Sequence, residues 1–115
     1  MLYPEIDRFL AELPNTAPPQ DRSDKWDALA KHLTQNKMTG AINFICTHNA
    51  RRSVLSQSIA TILAYKNGFS SLQAWSGGAE ETFVHPNTIT ALQGIGFRLV
   101  EQTEGANPMY TLSYS

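Results

Sequence analysis

The feature that most constrains this chain is its single cysteine, Cys46, which lies where a β-strand should end and a helix should begin. The residues before it, 42 to 45, form a short β-prone run that is mostly apolar. From residue 53 onward, apolar side chains recur at the spacing of one helix face: Val54, Leu55, Ile59, Ile62 and Leu63. Residues 46 to 52 are therefore predicted to form a tight connection between a strand and a helix.

A connection of this kind directs successive backbone N–H groups and the positive end of the helix dipole toward one point, which favours an oxyanion. A cysteine placed there is stabilised as a thiolate. Arg52 carries a planar guanidinium that suits bidentate contact with a tetrahedral oxyanion, and Ser53 can donate a hydrogen bond to the sulfur. We therefore predict catalytic roles for Cys46, Arg52 and Ser53 in displacement at phosphorus. The predicted oxyanion-binding loop comprises Thr47, His48, Asn49, Ala50, Arg51 and Arg52.

A simpler interpretation of Cys46 has to be weighed against this one. A lone cysteine at the end of an apolar strand is usually a small buried hydrophobic residue. The interval from Cys46 to Arg52, the serine that follows, and the strand-before, helix-after context together favour the catalytic interpretation.

These residues resemble the loop of the low-molecular-weight protein tyrosine phosphatases and the related arsenate reductases, whose pattern is C-x-G-N-x-x-R-S. The matching positions are Cys46, Asn49, Arg52 and Ser53. The resemblance implies that Cys46 attacks phosphorus or arsenic, that Arg52 binds the oxyanion, that Asn49 braces the loop, and that Ser53 stabilises the thiolate. It covers about residues 39 to 100, including three short later segments, 76–80, 85–87 and 94–97.

Two positions depart from the family pattern. His48 stands where the family has glycine, so a positive φ at that position would strain the backbone. Arg51 takes a position where many relatives carry a second cysteine or an apolar residue. Two roles stay open for Arg51: added positive potential at the mouth of the site, or a charge that is simply solvated.

The predicted fold class is α/β, with an open parallel sheet that contains a right-handed βαβ unit and is similar to the low-molecular-weight phosphatase fold. The first strand of the unit is the run before Cys46, and the second covers residues 70–76. Ser76, Gly77 and Gly78 are predicted to form a turn at the carboxyl end of the second strand, the end where ligands of such sheets bind. These three residues either form the rim of the pocket or serve only to make the turn.

Residues 1–36 are predicted to be an N-terminal helical arm, preceding a phosphatase-like domain over residues 37–115. Pro4 suits the first turn of a helix that Pro14 ends. A second helix, with Ser23 as its N-cap, carries Trp26, Leu29 and Leu33 on one stripe. The arm is either a packing element or a segment that shapes substrate access.

The C-terminal part is predicted to contain a helix that starts at residue 85, closed by Gly94 and Gly96, and a hairpin of residues 98–102 and 109–114. The resembled family has two further strands and an Asp-Pro general acid, so the chain is expected to be an incomplete, truncated version of that domain. The C-terminal segment is expected to cover the open edge of the Cys46 strand, either within its own chain or exchanged with a second copy as a homodimer.

Composition excludes several classes of function. The chain has 115 residues, 42% of them hydrophobic and 17% charged, which is typical of one small globular domain. Its net charge of -1, without a basic run, indicates no nucleic-acid partner. The sequence shows no long apolar span and no N-terminal apolar h-region, so we expect no membrane partner and a cytoplasmic location. The histidines, at positions 32, 48 and 85, lack the spacing of a metal site, so no metal or cofactor is expected.

The sequence thus leads to three functional hypotheses. The first is a cysteine-dependent phosphatase that hydrolyses phosphotyrosine or aryl phosphate through a cysteinyl-phosphate intermediate. The second is an arsenate reductase that needs an external thiol, because the chain has one cysteine. The third is an oxyanion-binding fragment without turnover. The expected ligand is phosphate, arsenate or a phosphotyrosine-type group, and the lack of the Asp general acid is expected to impair hydrolysis.

Overall fold

A computed structural model describes residues 1–13, 19–47, 51–78, 84–101 and 110–115. These residues form two helices, then strands and helices that alternate up to the third strand, and a last strand. In chain order they are α1 (Pro4–Ala11), α2 (Gln20–Gln35), β1 (Gly40–Cys46), α3 (Arg52–Lys66), β2 (Leu72–Gly78), α4 (Pro86–Ile95), β3 (Arg98–Glu101) and β4 (Tyr110–Ser113).

The strands β1 and β2 pair in parallel, and α3 is the helix that connects them. The register runs from Gly40 opposite Leu72 to Cys46 opposite Gly78. Parallel strands require such a crossover, and α3 packs against both of them. The α/β class and the strand–helix–strand unit around Cys46 are therefore confirmed.

The end of β2 differs from the prediction. Ser76, Gly77 and Gly78 are the last residues of the strand and not a turn after it, so the predicted turn at these positions is wrong. Gly77 and Gly78 pair with Ile45 and Cys46 of β1. Glycine alone weakens a strand, but pairing with a neighbouring strand holds its backbone extended.

The C-terminal strands β3 and β4 form the predicted antiparallel hairpin, with Arg98 opposite Ser113 and Glu101 opposite Tyr110. The predicted connection, residues 103–108, lies outside the described residues. Among the described residues this hairpin is a sheet of its own and does not pair with β1, so the prediction that it covers the open edge of β1 within the chain is wrong for them. Pairing two strands that are close in sequence closes a much shorter loop than pairing either with β1. The alternative, in which the C-terminal segment is exchanged between two copies in a homodimer, stays a prediction.

The hydrophobic core is built around α3 from residues that are distant in sequence. Ile6, Ile62 and Leu92 are fully buried, and burial of such a side chain contributes about 1.5–3 kcal/mol. The core residues come from the N-terminal segment, α3, α4 and the start of the hairpin: Leu2, Ile6, Ile62, Leu92 and Phe97. The core thus fixes α1, α3 and α4 relative to one another.

The two predicted N-terminal helices are packed very differently. Ile6 of α1 is completely buried, and the backbone N–H of Tyr3 donates to the carbonyl of Tyr114 at 2.9 Å. No residue of α2 is buried, and its apolar stripe lines a cavity of about 500 Å³ together with residues of β1 and α3. Of the two helices, α1 therefore belongs to the core and α2 does not.

The bounds of these helices also differ from the predictions. The first ends at Ala11, before the predicted stop at Pro14, and Pro14 lies outside the described residues. The second begins at Gln20, with Pro19 at the N-cap, and not after Ser23. The φ of Pro19, −53°, suits entry into a helix, and Gln20 Nε2 donates to Asp24 Oδ1 at 3.1 Å.

The approach of α1 to the end of α4 requires a glycine. Gly96 ends α4 with a φ of +123°, a conformation that residues with a Cβ rarely adopt. A Cβ at this position would lie 2.8 Å from Glu5 Cβ and 2.9 Å from the backbone nitrogen of Ile6. The predicted closure of this helix at Gly96 is confirmed, whereas Gly94 lies inside the helix.

One face of the parallel sheet is open among the described residues. Ile45 is 69% exposed and Trp75 is 56% exposed, and both lie on the same face because Asn43 pairs with Trp75 and side chains alternate along a strand. None of the helices in the described ranges has the length and apolarity that would let it cross a membrane.

Candidate functional site

The structure places the predicted catalytic residues at one strand-to-helix junction. Cys46 is the last residue of β1, Arg52 is the first residue of α3, and Ser53 follows it. The strand ends and the helix begins where the sequence predicts. Thr47 and Arg51 are described and exposed, whereas the intervening residues 48–50 are outside the described residues. The predicted roles of His48, Asn49 and Ala50 therefore stay predictions.

The central contact of the site joins Cys46 and Ser53. Cys46 Sγ lies 3.1 Å from Ser53 Oγ, within hydrogen-bonding distance. Ser53 is buried, at 3% exposure, and Cys46 is half-buried. A hydroxyl that donates to a thiolate stabilises the anion, so this geometry favours the reactive form of Cys46.

The start of α3 adds a second stabilising influence on an anion. Its N-cap residue, Arg51, has φ −133° and ψ −79° and makes no side-chain cap hydrogen bond. The first helical hydrogen bond runs from the N–H of Leu55 to the carbonyl of Arg51 at 2.9 Å. The N–H groups of a first helical turn point out of the helix, where the dipole also favours negative charge.

The positive charge of the site comes from two adjacent arginines. Arg51 and Arg52 are both exposed at the beginning of α3. Guanidinium groups remain charged at any ordinary pH and attract an incoming anion. The structure thus brings cationic residues and the Cys46–Ser53 pair to one end of the strand–helix–strand unit.

Of the predicted rim residues, Gly78 lies beside Cys46, whereas Ser76 is hydrogen-bonded to α3. Gly78 pairs with Cys46, which puts the end of β2 next to the end of β1. Ser76 Oγ donates to Gln57 Oε1 at 2.7 Å, and Gln57 Nε2 donates to the carbonyl of Ala74 at 3.1 Å. Ser76 therefore fastens β2 to α3.

Gln57 is the residue of this region that sequence reasoning missed. Its side chain joins the end of β2 to the helix that carries Ser53. The signal was present in the spacing, because residues four apart lie on one helix face and Gln57 is four residues after Ser53.

The two described histidines, His32 and His85, lie outside this junction. His85 Nδ1 accepts a hydrogen bond from the backbone N–H of Asn87 at 3.0 Å and so caps α4. His32 is exposed on α2. Within the described ranges no three side chains of His, Cys, Asp or Glu cluster in a way that could hold a metal ion.

A tyrosine away from this junction, Tyr65, has a shifted pKa. The N-terminal ammonium donates a hydrogen bond to the Tyr65 hydroxyl, and this contact, with a smaller one from Ser115, lowers the pKa of Tyr65 below its ordinary value. Tyr65 is near the end of α3 opposite to Ser53. Its titration therefore reports on the docking of the N-terminal segment.

Chemically, the junction holds a thiol beside a buried hydroxyl, a helix N-terminus and two cations. Such an arrangement can bind an oxyanion and attack its central atom. Its function has to be inferred from its own residues and contacts, because no protein-family model, no curated protein and no solved structure matches the chain.

Proposed function

We propose that the chain is a cysteine-dependent phosphatase that hydrolyses phosphotyrosine or aryl phosphates, in the manner of the low-molecular-weight protein tyrosine phosphatases that its loop resembles. The observation that carries the proposal is the 3.1 Å separation of Cys46 Sγ and Ser53 Oγ at the start of α3. A structural cysteine needs only apolar neighbours, whereas this sulfur lies beside a hydroxyl and a helix N-terminus.

The first chemical step forms a sulfur–phosphorus bond. The Cys46 thiolate attacks phosphorus, the bond from phosphorus to the aryl oxygen breaks, and the phenolate leaves with the electron pair. The Arg52 guanidinium and the N–H groups of the loop would hold the non-bridging oxygens and stabilise the charge that they gain. The product of this step is cysteinyl phosphate on Cys46.

The second step returns the enzyme to its starting state. Water attacks the phosphorus, the sulfur–phosphorus bond breaks, and the electron pair returns to Cys46 while inorganic phosphate leaves. Ser53 contributes here as well, because a hydroxyl that stabilises the thiolate makes Cys46 a better leaving group. The same contact therefore assists both steps.

The proposal extends to the architecture and the location of the protein. The β1–α3–β2 unit would be the strand–helix–strand unit of a low-molecular-weight phosphatase-like parallel sheet. A reactive thiolate needs reducing surroundings, which favours the cytoplasm.

Arsenate reduction is the second candidate function. Because the chain has a single cysteine, this reaction would need a thiol from outside the chain. Cys46 would attack arsenic in the same geometry, and an external thiol would then have to supply the electrons that reduce arsenate. The third candidate, oxyanion binding without turnover, uses the same arginines and loop without the covalent step.

One experiment separates the three. Hydrolysis of p-nitrophenyl phosphate, arsenate-dependent consumption of a thiol and binding of inorganic phosphate are measured for the wild type and for Cys46→Ser. We expect the wild type to hydrolyse the ester and Cys46→Ser to bind phosphate without hydrolysis. Thiol consumption that depends on arsenate, without ester hydrolysis, would assign the reductase. Phosphate binding without either reaction would assign the binding function.

A further inference from the structure

A second cavity lies on the other side of α3 from the apolar stripe of α2. It encloses about 440 Å³, and its walls come from α3, the end of β2, the segment before α4, and the C-terminal hairpin. This volume is within the range of small-molecule sites. The described residues that line it include no Asp, Glu, Lys, Arg or His.

One wall of this cavity is apolar and aromatic. Leu112 and Tyr114 of the hairpin pack against the hydrophobic core, and the Tyr114 ring lies edge-on to Tyr65 with the centroids 5.5 Å apart. The wall is therefore held in place without a ligand. Its residues are Val54, Val84, Phe97, Tyr110, Leu112 and Tyr114.

The rest of the described lining, from α3 and β2, is polar and uncharged, and its serine and threonine protons are already used. Ser58 Oγ donates to the carbonyl of Val54 at 2.8 Å, and Thr61 Oγ1 donates to the carbonyl of Gln57 at 2.8 Å. Ser76 Oγ donates to Gln57 Oε1. A hydroxyl has one proton and two lone pairs, so these three oxygens can offer a ligand only acceptor sites.

We propose that this cavity binds an uncharged, aromatic-sized small molecule that carries an N–H or O–H donor. The aromatic body would pack against the rings of the apolar wall, and the donor would face the acceptor oxygens of Ser58, Thr61 and Ser76. An oxyanion is a poor occupant, because the described lining carries no cation and its serine and threonine hydroxyls offer only acceptor sites. The inference is independent of the phosphatase proposal, which concerns Cys46.

Indole and benzothiophene form a matched pair of probes, because they share a shape and only indole has an N–H donor. We expect indole to bind saturably, with chemical-shift changes at the methyl groups of Val54, Val84 and Leu112. Benzothiophene should bind about fivefold to tenfold more weakly, the equivalent of one lost hydrogen bond. Thr61→Val, which removes a hydroxyl and keeps the shape, should weaken indole but leave benzothiophene unchanged.

Filling the cavity supplies the second test. Thr61→Leu should abolish binding of both probes, whereas Thr90→Leu should not, because Thr90 makes the same kind of bond to a carbonyl of its own helix away from the cavity. Thermal unfolding shows whether Thr61→Leu folds. If this variant does not fold, the proposal is tested by the probe affinities of Thr61→Val and by the methyl chemical shifts. Equal affinity of the two probes, shifts elsewhere in the protein, or no saturable indole binding to the folded wild type would each overturn the proposal.

Discussion

Cys46 Sγ and Ser53 Oγ lie 3.1 Å apart, although the strand-to-helix connection separates them in the sequence. The contact joins the last residue of β1 to the first turn of α3. Ser53 is buried at this point, and its hydroxyl is held against the sulfur. The reactivity of Cys46 should therefore depend on Ser53.

The first prediction concerns the ionisation of Cys46. We expect its pKa to lie below the value of about 8.5 for an unperturbed cysteine, because Ser53, the helix N-terminus and Arg52 all favour the thiolate. The rate of alkylation by iodoacetamide, measured against pH, gives this pKa. Ser53→Ala should raise it by about one pH unit or more, the equivalent of a hydrogen bond to a charged group.

Ser56→Ala is the matched control for this titration, because Ser56 lies on α3 beside the cavity next to α2 and away from Cys46. Its alkylation profile should match the wild type. A wild-type profile centred at about 8.5 would refute the activated thiolate.

The second prediction concerns Arg52. Arg52→Ala and Arg52→Lys should both weaken phosphate binding and lower kcat by about 10²- to 10³-fold, because lysine keeps the charge but lacks the planar pair of donors. Arg22→Ala, a change of an exposed arginine on α2, should leave both quantities unchanged. Full activity of Arg52→Lys would show that charge alone suffices and that bidentate contact is not used.

Arg51→Ala decides between the two roles that the sequence leaves open for Arg51. A higher KM whose size falls with added salt would assign it a part in the potential around the site. Kinetics equal to those of the wild type would make it a solvated charge.

The third prediction concerns the leaving group. The 115-residue chain contains no Asp-Pro, and Asn107 before Pro108 has an amide that cannot donate a proton usefully near neutral pH. Lack of a general acid typically costs about 10²- to 10⁴-fold in rate. Aryl phosphates with acidic phenols should therefore be hydrolysed far faster than alkyl phosphates. Equal rates across leaving groups would show that a general acid protonates the leaving group. Glu80→Gln and Glu81→Gln would then be the first variants to test for that role.

The strand and the helix on either side of Cys46 could be predicted from the sequence, because each depends on neighbouring residues. The apolar run before Cys46 and the helix periodicity after Ser53 place both ends of the connection correctly. The partners of these elements were harder to predict. The stripe on α1 indicates that one face is buried, but it does not say that Ile6 meets Ile62 and Leu92 in the core.

The wrong predictions concern features that depend on contacts between elements distant in the sequence. The glycines after Trp75 favour a turn when taken alone, and only the pairing of Gly78 with Cys46 extends the strand. The hairpin strands are β-prone, and their sequence does not specify whether they pair with each other or with β1. The role of Gln57 becomes apparent only in the structure, because it depends on the end of β2 lying beside the side chain.

The fourth prediction concerns the packing of α1 against the end of α4. Gly96→Ala should destabilise the fold by about 2 kcal/mol or more, because a Cβ there would overlap Glu5 and Ile6 and strain a positive φ. Gly94→Ala is the matched control, since a Cβ at Gly94 meets nothing within 4 Å. It should stabilise the helix by about 0.5–1 kcal/mol. Equal midpoints for the two variants in chemical denaturation would contradict the described approach of the two helices.

Covalent trapping of the intermediate tests the central claim most directly. The wild type is mixed with p-nitrophenyl phosphate, quenched in acid and digested, and the peptide that contains Cys46 is weighed by mass spectrometry. We predict the added mass of one phosphoryl group on Cys46, together with a burst of p-nitrophenol that does not exceed one equivalent of protein. Cys46→Ser should show neither the thiol-bound phosphate nor the burst. Steady hydrolysis by Cys46→Ser, or turnover by the wild type without phosphate on Cys46, would contradict the account.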